Sequence, residues 1–182
     1  WAEFKLREGV KSAWGNELTA EDVKWTWDRK FALGGNGAFF TGLLGMTGPE
    51  NIIVLDKYLI RFELPNPSPL LFKMQVNFYH NIYDAVKCKE MATAEDPWAR
   101  DFISNNAVGF GPYTIEELTR GQQVVYTARE DYYLGKPAID RVIYRAIPDT
   151  TVRLANLRAG ELDMLERLAP TDVKSAQGDK PL

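Results

Sequence analysis

The sequence is poor in the residues that build disulfides and metal centres. It holds one cysteine, Cys88, and one histidine, His80, among 182 residues. A lone cysteine cannot close an internal disulfide, and the two together cannot supply a zinc site of the multi-Cys/His type, so no metal is expected. His80 reads as a surface or supporting group. Cys88 lies between Lys87 and Lys89, whose ammonium groups favour a thiolate, but no base or resolving cysteine is near it in sequence and it reads as incidental. Long apolar runs are missing too: Ile52 to Leu55 and Pro69 to Phe72 are among the longest, far below the roughly 20 residues that span a bilayer. Nor is there an excess of positive charge. Twenty-two Lys plus Arg against 25 Asp plus Glu leave a formal net charge of −3, so no overall field draws a polyanion and nucleic acid is not an expected partner. The chain opens at Trp1 with neither an initiator Met nor an export or transit segment, and the expectation is a piece of a longer protein.

What is present is the composition of a folded domain, 45% hydrophobic and 26% charged. Phe4 to Arg7 reads as a strand end. Thr19-Ala20-Glu21-Asp22 then sets a hydroxyl at a helix N-cap with an acid three residues on, close to a capping box although Asp stands where Glu is preferred. Val23, Trp27, Lys30 and Phe31 follow at helical spacing up to Gly34-Gly35. Six glycines between 34 and 48 surround Phe39-Phe40, which predicts a mobile aromatic-bearing loop or short helical turn rather than a regular element. Ile52 to Leu55 and Tyr58 to Leu64, separated by Asp56-Lys57, predict a β-hairpin that Pro65, Pro67 and Pro69 terminate. Leu70 to Val76, Ile82 to Lys89 and Asp96 to Asn105 read as short helices, the last with Asp96 as N-cap and Pro97 in its first turn.

After Pro112 the pattern turns to β. Tyr113 to Leu118 and Gln123 to Arg129 flank Arg120-Gly121 as a second hairpin, and Asp140 to Ile147 alternates as a half-buried strand. Pro148-Asp149 opens a helix over 150–159 whose apolar face is Val152, Leu154, Ala155 and Leu157, closed by Gly160. Leu162 to Leu165 reads as a strand. The composition shift near residue 105 marks a subdomain boundary.

Three groups invite chemistry. Gly109-Phe110-Gly111-Pro112-Tyr113 has the glycines of an anion-binding loop, yet Pro112 removes one N–H and a β run follows where a phosphate loop needs a helix N-terminus. It reads as a turn that delivers the chain into a new strand, with Phe110 held between its glycines. Glu161, Asp163 and Glu166 suggest a glycosidase's paired carboxylates, but carboxylates at strand ends are mostly solvated or salt-bridged, and no catalysis is expected. Phe39, Phe40 and Tyr79 offer aromatic faces with large contact area at low entropic cost, suited to a binding cleft.

The order and spacing of several motifs go further. Phe4-Lys5-Leu6-Arg7-Glu8-Gly9-Val10-Lys11, Leu18-Thr19-Ala20-Glu21-Asp22-Val23 and Gly111-Pro112-Tyr113 come first; Asp131 to Pro137, Ile139 to Val142, Ile147-Pro148-Asp149 and Ala159-Gly160-Glu161-Leu162-Asp163 follow. Together these resemble the family 5 extracellular solute-binding proteins of ABC transporters, the oligopeptide-, dipeptide- and nickel-binding group. The chain departs from the family pattern at Ser12 to Asn16 and at Tyr132 to Gly135, both in turns, which bears on substrate class more than on fold. The resemblance implies an α/β fold of α+β character, a fragment of the two-lobe periplasmic-binding-protein type II fold. In it, residues 1–104 are a small subdomain inserted in the first lobe, 105–182 are part of that lobe's main sheet, and the second lobe is absent. It further implies capture of oligopeptides or dipeptides for a membrane permease, without a cofactor, by a monomer in the periplasm or outside the cell, with a lipoprotein anchor as one mode of attachment. By motif offset it adds Met164, Glu166 and Arg167 to the ligand-facing candidates Phe39, Phe40, Tyr79 and Phe110. Binding of nickel, sugar or another small solute, a cleft hydrolase and a ligand-sensing regulator stay open as alternatives.

Overall fold

In the computed structural model, residues 1–76, 81–169 and 172–173 are described. The chain divides into two compact units, one of Trp1–Glu116 with Tyr126–Val142, the other of Glu117–Val125 with the chain from Ile143 onward.

The first unit is built on a three-stranded antiparallel sheet. Strands β1 (Ala2–Lys5), β2 (Ile52–Asp56) and β3 (Leu59–Phe62) take the order β1-β3-β2. The hairpin predicted from Asp56-Lys57 is there, with Ile52 opposite Phe62 and Val54 opposite Ile60, and one residue bulges before Asp56 meets Leu59. Alternation along β3 turns Ile60 and Phe62 inward. Helix α1 (Ala20–Leu33) lays Val23 and Trp27 on them, and Trp27 meets Phe62 edge-on at 5.1 Å between ring centroids. The start of α1 is tied to the hairpin, because Ala20 N–H donates to the Lys57 carbonyl at 2.7 Å. The buried residues Leu44, Met46, Leu71 and Met74 complete this cluster. Lys30 belongs to the same helix and is only 8% exposed; burial pushes its ammonium pKa down to about 7, and its Nζ sits 4.2 Å from the centre of the Trp27 ring.

The capping box forms, and the short Asp side chain changes what it does. Asp22 Oδ2 accepts from Thr19 N–H at 2.7 Å and from Thr19 Oγ1 at 2.9 Å. Its Oδ1 accepts from Ala85 N–H at 2.8 Å, at the start of another helix.

The glycine-rich stretch differs from expectation. Residues 36–43 form a regular helix, α2 (Asn36–Leu43), bounded by Gly34, Gly35 and Gly45 at φ +69°, +65° and +69°. Its glycines mainly supply the left-handed positions that stop one helix and start the next, rather than dissolving the element. Helix α3 (Leu70–Gln75) enters through Pro69 as expected. Helix α4 (Ala85–Met91) is capped by Asp84. Helix α5 (Arg100–Asn105) starts later than predicted, because Pro97-Trp98 make a turn first and Ala99 takes φ +49°. Asp96 still serves that helix, its carboxylate accepting from Asp101 N–H at 2.9 Å. A second cluster packs Trp25 against Ala85, Cys88, Ala99 and Val108.

Strands β4 (Tyr113–Thr119), β5 (Gln123–Ala128) and β6 (Arg141–Arg145) form a second sheet in the order β4-β5-β6. Gly121, at φ +74°, makes the predicted turn. Ala128 N–H donates to the Asp140 carbonyl and Ala146 N–H to that of Gln122, so β6 runs antiparallel to β5. The half-burial expected of β6 is corrected: all five residues are exposed, Val142, Ile143 and Tyr144 among them, because alternation groups residues on a face without supplying anything to cover it. In the second unit, Asp149 caps helix α6 (Thr150–Arg158) by accepting from Val152 N–H at 2.9 Å. Gly160 at φ +75° ends it, and Glu161 N–H returns to the Asn156 carbonyl. Of its expected apolar face only Leu154 is buried. Residues 162–165 form no strand; the backbone there is irregular, with Leu162 and Leu165 half-buried and Met164 81% exposed.

Candidate functional site

The first unit bears an open cavity of about 680 Å³ around Gly109-Phe110-Gly111, walled by Ile82, Tyr83, Phe110, Tyr113 and Tyr126 among others. None of its lining side chains carries a charge; its polar contributors include Asn81 and Asn106. Three of the stretches that wall it are each held by hydrogen bonds to residues outside the lining.

The first wall is the segment before α4. Tyr83 N–H donates to Thr26 Oγ1 at 2.9 Å, Asp84 N–H to the Val108 carbonyl at 2.8 Å, and Ala85 N–H to Asp22. The Asp84 carboxylate is fully buried and accepts from Ser12 Oγ at 2.5 Å, Asn16 Nδ2 at 3.0 and 3.2 Å, and Lys87 N–H at 2.9 Å. Asp22 and Asp84 are thus held by hydrogen bonds from neutral donors. Desolvation raises the pKa of Asp22, with the Asp84 charge adding to it, while the bonds from Ala85 and Thr19 oppose the shift.

The second wall is the glycine stretch. Gly109 pairs with Tyr83 in an isolated antiparallel bridge, and a Cβ at Gly109 would lie 3.3 Å from the Ile82 carbonyl oxygen, so the close approach is made by a residue without one. Trp14 Nε1 donates to the Ala107 carbonyl at 3.0 Å. Arg129, 5% exposed, holds the rest: Nη1 donates to the Gly111 carbonyl at 3.2 Å, and Nη2 to the carbonyls of Lys11 at 2.9 Å and Ser12 at 3.0 Å. Nε and Nη2 also reach the two Asp131 oxygens at 3.1 Å, and this guanidinium holds the Asp131 carboxyl below its usual range. The groups tied in this loop are carbonyls, and β4 follows it, so it has the context of a turn into a strand and not of a phosphate loop. On the third wall, Tyr113 Oη donates to the Ile139 carbonyl at 3.0 Å.

The sequence-derived candidates distribute unevenly. Phe110 lines this cavity. Phe39 lies on α2, 62% exposed and edge-on to Phe40 at 5.4 Å, and Phe40 packs on the first hydrophobic cluster. Tyr79 and His80 lie outside the described residues. Met164, Glu166 and Arg167 come together in the second unit, around a pocket of about 340 Å³ shared with Tyr144 and Arg153. There the Glu166 carboxylate accepts a hydrogen bond from Tyr144 Oη, and Arg153 Nη1 donates to the Glu166 carbonyl at 3.2 Å. The bond to Glu166, and secondarily burial, raise the Tyr144 hydroxyl pKa. Arg167 takes φ +57° and reaches Glu166 only at 3.9 Å. Glu161 and Asp163 do not line that pocket.

Cys88 is fully buried, and burial pushes its thiol up to about 12 with the Asp84 charge reinforcing it and the Arg29 charge opposing it. Among the described residues no group of three or more His, Cys, Asp and Glu is placed to hold a metal ion, and no helix is long and apolar enough to cross a membrane. Sequence reasoning missed Arg129, Asp84, Tyr83, Tyr113 and Tyr126. Asp84 ahead of Ala85-Val86-Lys87 carries an N-cap signal; Arg129 carries none, since its partners are carbonyls as distant as Lys11 and Ser12.

Comparison with known proteins bears on the family and the fold. The family of bacterial extracellular solute-binding proteins, family 5 Middle, matches residues 1–182. The oligopeptide-binding protein AppA of Bacillus subtilis (strain 168) is 30% identical over 183 residues, covering 96% of this chain and 31% of its own length. Di/tripeptide-binding protein 4 of Pseudomonas aeruginosa (strain UCBPP-PA14) is 30% identical over 194 residues, covering 98% and 36%. The chain therefore spans about a third of the length of the curated relatives it matches. Among solved structures, Bacillus subtilis AppA in complex with a nonapeptide superposes with a TM-score of 0.74 at 26% identity, over 96% of this chain and 34% of that one. The binding protein MoaA from Agrobacterium, in complex with mannopinic acid, gives a TM-score of 0.72 at 27% identity, over 88% and 31%. The fold class read from the sequence, α/β with α+β character within a periplasmic-binding-protein fold, holds.

Proposed function

The chain belongs to the bacterial extracellular solute-binding proteins, family 5, and from that premise we propose that it is part of the substrate-binding component of an ABC importer that captures oligopeptides or dipeptides. The observation that carries the peptide class is the likeness to an oligopeptide-binding protein over 96% of this chain, in sequence and in a peptide-bound structure. In this reading the whole protein has two lobes. The solute bridges them, favours the closed state by binding it better than the open one, and the closed form docks on a membrane permease. No bond is made or broken, and no enzymatic role or cofactor is required. The protein works as a monomer in the periplasm or at the outer cell surface, where a lipid anchor would keep it near the permease.

Residues 1–104 serve in this reading as the small inserted subdomain of the first lobe and 105–182 as part of its main sheet. Support comes from the first hydrophobic cluster, whose members all fall between Ala2 and Ile82. Phe39, Phe40, Tyr79, Phe110, Met164, Glu166 and Arg167 are the proposed ligand-facing residues. The cavity at Phe110 and the pocket shared by Met164, Glu166 and Arg167 give these four a concave setting, whereas Phe39 and Phe40 have an aromatic surface only.

The test is calorimetric titration of the full-length protein with di-, tri- and longer peptides, beside mannopinic acid, sugars and nickel. One-site peptide binding with a rise in melting temperature is expected. Binding of an opine, sugar or metal in its place, with no response to any peptide, would overturn the peptide reading.

A further inference from the structure

The cavity around Phe110 is specific about what suits it. Its lining is wholly uncharged in a chain that is 26% charged, so an ionic group placed there would lose its hydration without a counter-charge. Four rings, Tyr83, Phe110, Tyr113 and Tyr126, contribute to its walls. Its volume lies within the roughly 300–1,000 Å³ of small-molecule sites. Asn81 and Tyr126 bring polar groups to the lining that hydrogen-bond to no other described residue, enough to orient a guest but not to bind a charge.

The cavity is also preorganised. Thr26 holds the Tyr83 backbone, Arg129 holds Gly111, Ile139 receives Tyr113 Oη, and Trp14 holds Ala107, so each wall is anchored from behind by a group outside the lining. Walls fixed in this way lose little conformational freedom when a guest enters.

We propose that this cavity receives a neutral aromatic side chain of the captured solute, with Phe110 as its specificity-determining face; the inference rests on the peptide-capture reading above. Phe110 stands between two glycines, half-buried in the lining, and an incoming aromatic group stacks on the face it turns to the cavity or meets it edge-on. Acidic and basic side chains are disfavoured for the reason already given.

The experiment is titration of the full-length protein with tripeptides that differ at one position, carrying Phe, Trp, Leu, Asp or Lys, in wild type, Phe110→Leu and Phe110→Ala. Wild type is expected to bind the Phe and Trp peptides on the order of tenfold or more tightly than the Asp and Lys peptides. Phe110→Leu should narrow that ratio and Phe110→Ala should erase most of it, while Leu-peptide affinity changes little in Phe110→Leu. Should Phe110→Ala fail to fold, Phe110→Leu decides. Peptide binding with no aromatic preference, or with a preference unchanged in both variants, overturns the inference and leaves peptide capture standing. If Phe110→Ala lowers the melting temperature of the ligand-free protein yet scales all peptide affinities equally, the protein's own chain fills the cavity and the inference is likewise overturned. No binding of any peptide brings down the peptide reading itself.

Discussion

Replacing Arg129 by Met asks how much of the site's rigidity one guanidinium supplies. The side chain is only 4% exposed and donates to three backbone carbonyls, those of Gly111, Lys11 and Ser12, besides pairing with Asp131. Met keeps much of the volume and removes every donor. The bond to Ser12 is buried and those to Gly111 and Lys11 are partly buried. An unsatisfied buried acceptor costs about 1–3 kcal/mol and a partly solvated one less, so the total loss comes to about 2–5 kcal/mol. The ion pair contributes little of this: the Asp131 side chain is 63% exposed, and surface pairs are worth at most about 1 kcal/mol. Asp131→Asn therefore measures the pair alone, and Arg129→Met measures the pair plus the carbonyl clamp. Urea denaturation of the full-length variants, followed by tryptophan fluorescence, should place Arg129→Met at least twice as far from wild type as Asp131→Asn. Arg129→Lys, a compact charge that cannot span the same fork, should fall between them. Equal destabilisation by Arg129→Met and Asp131→Asn would refute the clamp.

Other consequences can be checked as directly. Trp27→Ala removes the ring at the centre of the first cluster and should cost about 3–5 kcal/mol, read from the same denaturation curves. Lys30 has a folded pKa near 7 against an ordinary value of 10.5, so the folded state binds fewer protons than the unfolded one between those values and stability rises with pH across that window. Lys30→Met should be more stable than wild type near pH 7 and lack that rise in a series of melts. Glu17 follows the same sign at lower pH. Lys57 first, then Tyr58 Oη and Gly9 N–H, hold its carboxyl at about 2, so its contribution is complete above 4.5 and fades as pH falls toward 2. Glu17→Gln should flatten that acid limb.

The sequence was most legible where the deciding interactions are local. Thr19 and Asp22, Asp149 and Val152, and the turn at Gly121 act within a few residues of themselves, and each emerged where its pattern placed it. Legibility failed where glycine was read as irregularity: Gly34, Gly35 and Gly45 bound a helix, and the two glycines inside it, Gly37 and Gly42, do not break it. It failed again at β6 and α6, where alternation and helical spacing were read as burial, yet Val142, Ile143 and Val152 are exposed. Periodicity says which residues share a face, not what covers that face. Of the site, Phe110 was visible because two glycines frame it. The frame around it was not, since Asp84 with Ser12 and Arg129 with Lys11 join residues 72 and 118 positions apart.

The departure from Glu to Asp at position 22 has a consequence beyond the cap. A longer carboxylate at that position would suit the N-terminus of α1 by itself, but Asp22 divides its two oxygens between Thr19 and Ala85. One side chain thus closes the first turn of α1 and of α4 together, and neither turn can fray without releasing an acceptor the other uses. The two helices, more than sixty residues apart in the chain, are thereby joined into one cooperative opening unit. The Tyr83 wall of the cavity, two residues ahead of Ala85, takes its stability from the same unit, so thermal fluctuation at the candidate site is governed from the first turn of a helix that does not itself line it.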